Sequence, residues 1–189
     1  MKNKSSNSGV WVAAVVAVMI IASIYLLWPS LSPSSASGRV VSVKFTRPLS
    51  LGTDGDIHHL HLSEVQVFSK DGSPLPLSCA EPCVNAMGPE EGNGPEMAFD
   101  GDVETTYHNK WVGQRDEANP FYGTETHFLH LRIGGVEGAG EVGRIVVHHS
   151  HPQKRRVVGV TVELLENGVP VWRDLFSDEQ DEYAFDVVV

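Results

Sequence analysis

Apolar and polar residues alternate along several short stretches of this chain, with the period of two expected of half-buried strands. Val41, Val43 and Phe45 share one face of the first stretch, Val40 to Phe45. The second stretch, Leu60 to Phe68, slips: Leu60 and Leu62 share a face, Val65 and Val67 share a face, and the two pairs are out of phase. One extra residue near Ser63-Glu64 accounts for the slip and predicts a β-bulge, which frees a ladder carbonyl and re-aims a side chain. Further strands are predicted at Thr126 to Ile133, Arg144 to Val147, Val157 to Leu165, Val169 to Leu175 and Tyr183 to Val189. Asn167-Gly168 joins two of them as a two-residue hairpin, because both residues tolerate φ > 0. Ser69 to Pro95 is rich in Gly, Pro and Glu and reads mostly as surface loop, with a turn at Asp71-Gly72. Asn109 to Thr124, holding Trp111, Arg115, Phe121 and Tyr122, reads as a second long loop of the kind that carries function. About eight short strands with frequent turns predict an all-β domain, a β-sandwich, over residues 39–189.

The pattern before that domain is different. Val10 to Trp28 is an uncharged apolar run of about 19 residues, long enough to cross a bilayer core as a helix. Trp11 lies near one end and Tyr25 and Trp28 near the other, where interfacial aromatics belong. Lys2 and Lys4 precede the run and the next positive residue is Arg39, so the positive-inside rule keeps residues 1–9 cytosolic. The expectation is a single-pass type II membrane protein: a signal-anchor helix at 10–28, a Pro/Ser linker at 29–38, and a lumenal or extracellular domain. The alternative is secretion after signal-peptide cleavage at Ser34-Ser35-Ala36. The apolar run exceeds the roughly 7–15 residues of a signal peptide, and that site lies well beyond its end, which favours the anchor.

Composition narrows the function classes. The chain has 189 residues, a formal net charge of -10 and a pI near 5.3, which argues against nucleic acid as a partner. Cys79 and Cys83 are the two cysteines, spaced either to close a small disulfide loop or to remain free thiols. No nucleophile elbow, phosphate loop or zinc-protease helix is present, and the chain is not expected to be an enzyme.

Candidate chemistry centres on Met97-Ala98-Phe99-Asp100-Gly101-Asp102. Two carboxylates flank a glycine able to take φ > 0, so several oxygens can converge on one point, as a hard cation such as Ca²⁺ requires. An ordinary Asp-Gly turn is the plainer alternative. A freed Ser63 carbonyl and the Glu64 carboxylate could serve the same ion. Among nine histidines, His59 with His61 and His149 with His151 each share a strand face, and four imidazoles suit Zn²⁺. Nothing in the sequence joins those pairs, and exposed polar residues on strand ends are the simpler reading.

Three pieces then stand together: LHLSEVQVF at 60–68, AFDGDVETTYH at 98–108, and GRIVVHHSHPQKRRVVGVTVELLENGVPVW at 143–172. The combination resembles the galactose-binding-like (discoidin, or coagulation factor 5/8 type C) jelly-roll superfamily, closest to circularly permuted F-type, fucose-binding lectin domains. The likeness covers most of residues 40–189. It implies a jelly-roll sandwich and a structural Ca²⁺ held by the Glu64 and Asp100 side chains and the carbonyls of Ser63, Met97 and Asp102. It also implies a ligand rim at His108, His149, His151 and Arg156. His149 and His151 stand where the fucose lectins carry Arg and Asp, while Arg156 keeps the family's basic residue, so fucose itself is not implied. The resulting expectation is a membrane-tethered, non-catalytic carbohydrate-binding module for a glycan or glycoprotein. The alternative is an adhesion or assembly domain that binds a protein partner through the same loops.

Overall fold

A computed structural model describes residues 38–47, 59–85, 88–110, 126–150, 152 and 154–189. The anchor at 10–28, the linker to residue 37, the loop residues Trp111, Arg115, Phe121 and Tyr122, and His151 lie outside the described residues.

The described residues form eleven strands: β1 (Val41–Arg47), β2 (His61–Leu62), β3 (Glu64–Ser69), β4 (Pro74–Leu75), β5 (Leu77–Val84), β6 (Tyr107–His108), β7 (His127–Ile133), β8 (Val142–His148), β9 (Thr161–Glu166), β10 (Val169–Leu175) and β11 (Glu182–Asp186). No α-helix occurs among them, only short 3-10 turns. All strand pairs are antiparallel. One sheet has the order β10-β9-β1-β7-β5, a second β11-β8-β3-β4, and β2 with β6 forms a separate two-stranded ribbon.

One hydrophobic core draws on all three sheets. In β1 the alternation read from the sequence sends Val41, Val43 and Phe45 inward, each no more than 1 % exposed. Val43 is flanked by Leu131 of β7 and Leu164 of β9. Each such side chain, once buried, contributes about 1.5–3 kcal/mol of transfer free energy. The Asn167-Gly168 hairpin joins β9 to β10, with φ of 53° and 79° at the two residues.

Two differences from the sequence reading matter for the site. Residues 60–68 are not one bulged strand. The chain breaks at Ser63, so β2 pairs with β6 while β3 pairs with β8. Leu60, Leu62, Val65 and Val67 are all buried, and the phase slip records a change of sheet. Residues 69–95 are also not mostly loop, since β4 and β5 lie within them. β5 forms the edge of the five-stranded sheet, and its side chains are half or fully exposed, which hid it from a periodicity argument. Cys79 pairs with Leu131 and Val84 with Leu129, and the excursion between them is closed by a Cys79–Cys83 disulfide.

Candidate functional site

Two polar clusters flank Ser63, which is itself fully buried. The Ser63 N–H donates to the His148 carbonyl (3.1 Å), and its hydroxyl lies 2.9 Å from the Ser150 hydroxyl and 3.3 Å from that of Thr106. This residue thereby ties β2, β3 and the segment entering β6 together.

The first cluster is built from oxygens. Glu64 opens β3 and is 4 % exposed, and its carboxylate accepts from the Gly101 N–H at 3.2 Å across a separation of 37 residues. Gly101 has φ 86°, a left-handed conformation that glycine adopts without a Cβ penalty. Around the Thr105 hydroxyl lie the Met97 carbonyl at 3.2 Å, the Asp102 carbonyl at 2.9 Å and both Asp100 carboxylate oxygens at 3.0 and 3.1 Å. A hydroxyl has one proton to donate, so these acceptors outnumber the hydrogens available to them. Burial raises the Glu64 pKa above the ordinary carboxylate value, the Gly101 N–H opposes this, and the Asp100 and Asp102 carboxylates add to the rise. One buried carboxylate, Glu64, thus faces two exposed ones, Asp100 and Asp102, with carbonyl oxygens beside them, a set of hard oxygen donors of the kind that could hold a cation such as Ca²⁺.

The second cluster is built from nitrogens. His61 and His108 are directly opposed in the β2–β6 ribbon, and His59 lies two residues before His61. The His61 and His108 ring centres are 3.7 Å apart, edge to face, and His59 stacks on His108 at 4.6 Å. The ring nitrogens of His59, His61 and His108 come within 4.8 Å of one another, and among the described residues this is the one set of three metal-ligating side chains so close. Arg156 brings an Nη1 to 3.1 Å from His61 Nε2. Its backbone carbonyl accepts from Arg47, which is 1 % exposed. Burial and then the charge of Arg156 lower the Arg47 pKa to about 10. His59 is lowered to about 4, chiefly by burial and then by the charges of His108 and Arg156. Glu90 pairs with His108 Nδ1. Asn109, fully buried, accepts from the Leu60 N–H and approaches His127 Nδ1 at 3.0 Å.

Comparison with protein-family models, with curated proteins and with solved structures finds no match. The geometry therefore stands on its own. It brings Glu64, Asp100, Met97 and Asp102 into one neighbourhood, and His108 and Arg156 into another through His61. His149 is fully buried just past the end of β8, where its N–H donates to the Asp181 carbonyl at 2.7 Å, so it is not on an exposed rim. His59 and His61 do gather into a cluster, but with His108, and they are buried rather than exposed. The inward face of β1 continued past Phe45 would have found Arg47. No local signal marks Asn109 or Glu90.

Proposed function

We propose that residues 39–189 are a galactose-binding-like jelly-roll domain that serves as a membrane-tethered, non-catalytic carbohydrate-binding module. The N-terminal helix is the tether, and Ca²⁺ is the structural ion. The observation that carries this reading is the approach of Glu64 to Gly101, which joins two distant acidic segments into one oxygen-lined loop. Glu64 and Asp100 would hold the ion through side chains, and Ser63, Met97 and Asp102 through carbonyls. Ca²⁺ braces loops and carries out no reaction; the protein's own groups recognise the ligand. His108 and Arg156 supply imidazole and guanidinium N–H groups, which suit the hydroxyl and ring oxygens of a sugar. Two antiparallel sheets around a common core are consistent with the jelly-roll.

The test is glycan-array binding by the full chain in detergent, first in Ca²⁺, then after chelation, then after Ca²⁺ is restored. Binding that is lost with chelator and recovered with Ca²⁺ supports the module. Silence on every glycan contradicts it, and capture of a protein partner that survives glycosidase treatment would favour the adhesion reading instead.

A further inference from the structure

We propose that His59, His61 and His108 form a site for a borderline divalent transition metal, Zn²⁺ in the first instance, with Arg156 beside it. The site shares His108 and Arg156 with the proposed rim but does not rest on the glycan reading.

Placement comes from the fold. His61 is opposed by His108 across the β2–β6 ribbon, which puts both imidazoles on one side of it, and His59, two residues ahead of His61 and just outside β2, brings a third against them. Their nitrogens lie within 4.8 Å of one another, whereas a tetrahedral set at Zn–N distances of about 2.1 Å needs about 3.4 Å. Ligation would draw the rings together by up to about 1.4 Å, within the reach of side-chain rotation.

The chemistry of each ligand agrees. His59 is 6 % exposed and its Nδ1 has no hydrogen-bond partner, a buried lone pair or N–H left unmatched. Glu90 sits on His108 Nδ1. Ligation through Nε2 would then give the carboxylate–imidazole–metal relay typical of zinc sites. Three imidazoles suit Zn²⁺, Ni²⁺ or Cu²⁺ and not Ca²⁺.

Arg156 shapes the site by opposing it. Its Nη1 lies 3.1 Å from His61 Nε2, where its N–H would compete with a metal for that nitrogen, and its charge repels a cation. The same guanidinium would favour an anion, hydroxide or carboxylate, as a fourth ligand.

The experiment titrates Zn²⁺ into chelator-stripped full chain in detergent, against a chromophoric chelator, with Co²⁺ absorption as a second readout. The wild type should take up one equivalent and give the intense visible bands of tetrahedral Co²⁺. His59→Gln, His61→Gln and His108→Gln should each abolish that uptake. Glu90→Gln, on a half-exposed side chain, should fold normally and weaken it about 10- to 100-fold. His148→Gln, outside the cluster, should leave it unchanged. Arg156→Met should bind Zn²⁺ more tightly, by about an order of magnitude, while losing glycan binding. No stoichiometric uptake by the wild type overturns the proposal, as does uptake undiminished in His59→Gln or reduced equally in His148→Gln. Zn²⁺ uptake without glycan binding would sink the lectin reading alone, and glycan binding without Zn²⁺ uptake would sink this one alone.

Discussion

On either side of Ser63 the same two segments of chain assemble clusters of opposite character. Upstream, His59 and His61 meet His108 beside two buried guanidiniums. Downstream, Glu64 meets the Asp100 turn, where carbonyl and carboxylate oxygens crowd one hydroxyl. The change of sheet at Ser63 is what separates them, because it sends neighbouring side chains into different surroundings. Burial and like charges act on both, in opposite directions of pKa: Glu64 is held up and His59 is held down. Each group is pushed toward its neutral form. A hard cation would relieve the acid cluster by charge, whereas a softer metal would take a neutral imidazole lone pair directly.

The largest expected effect removes the floor common to both clusters. Leu62 is fully buried and pairs with Tyr107 in the ribbon. Leu62→Ala should cost about 2–5 kcal/mol in denaturant unfolding and weaken binding at both clusters. A smaller effect separates them. Ca²⁺ at a hundred times its Kd should raise stability by about 2.7 kcal/mol, and Glu64→Gln should erase that gain while leaving Zn²⁺ uptake intact.

Acid titration in chelator sharpens the contrast further. The folded His59 pKa of about 4 lies below the ordinary 6.5, so the unfolded chain takes up its proton first as pH falls. Stability should therefore drop between about pH 6.5 and 4, by about 2 kcal/mol after solvent screening, and level off below that. Glu64 acts the other way. Its folded pKa is raised, so its penalty is present at neutral pH and is relieved as pH falls through that raised value. Thermal melts from pH 7 to 4 should show the His59 loss diminished in His59→Gln and the Glu64 recovery absent in Glu64→Gln. The smallest change is Gly101→Ala: the added Cβ meets nothing within 4 Å, so the cost is the left-handed backbone alone, about 1 kcal/mol, with weaker Ca²⁺ binding and unchanged Zn²⁺ binding.

Much of this was legible where side chains alternate cleanly. β1 and the β9–β10 hairpin follow directly from their apolar faces and from Asn167-Gly168. The slip at Ser63 was visible too, but the pattern alone could not distinguish a bulge from a change of sheet, because both reverse the buried face. β5 was hidden because an exposed edge strand carrying Pro82 and two cysteines shows no apolar period. The histidine cluster was hidden for another reason. β2 and β6 are two residues each, too short to register as strands, and only their pairing sets His61 against His108. Arg47 continues the inward alternation of β1, yet a charged residue at a core position reads as the end of a strand.

A shared ion between the segment containing Glu64 and the turn at Asp100 is what the proposed module most depends on. Isothermal titration of Ca²⁺ into chelator-stripped full chain tests this most directly, with Glu64→Gln alongside. One saturable site in the wild type that disappears in the variant is the predicted result. No binding heat in the wild type, or an identical isotherm in Glu64→Gln, would contradict it.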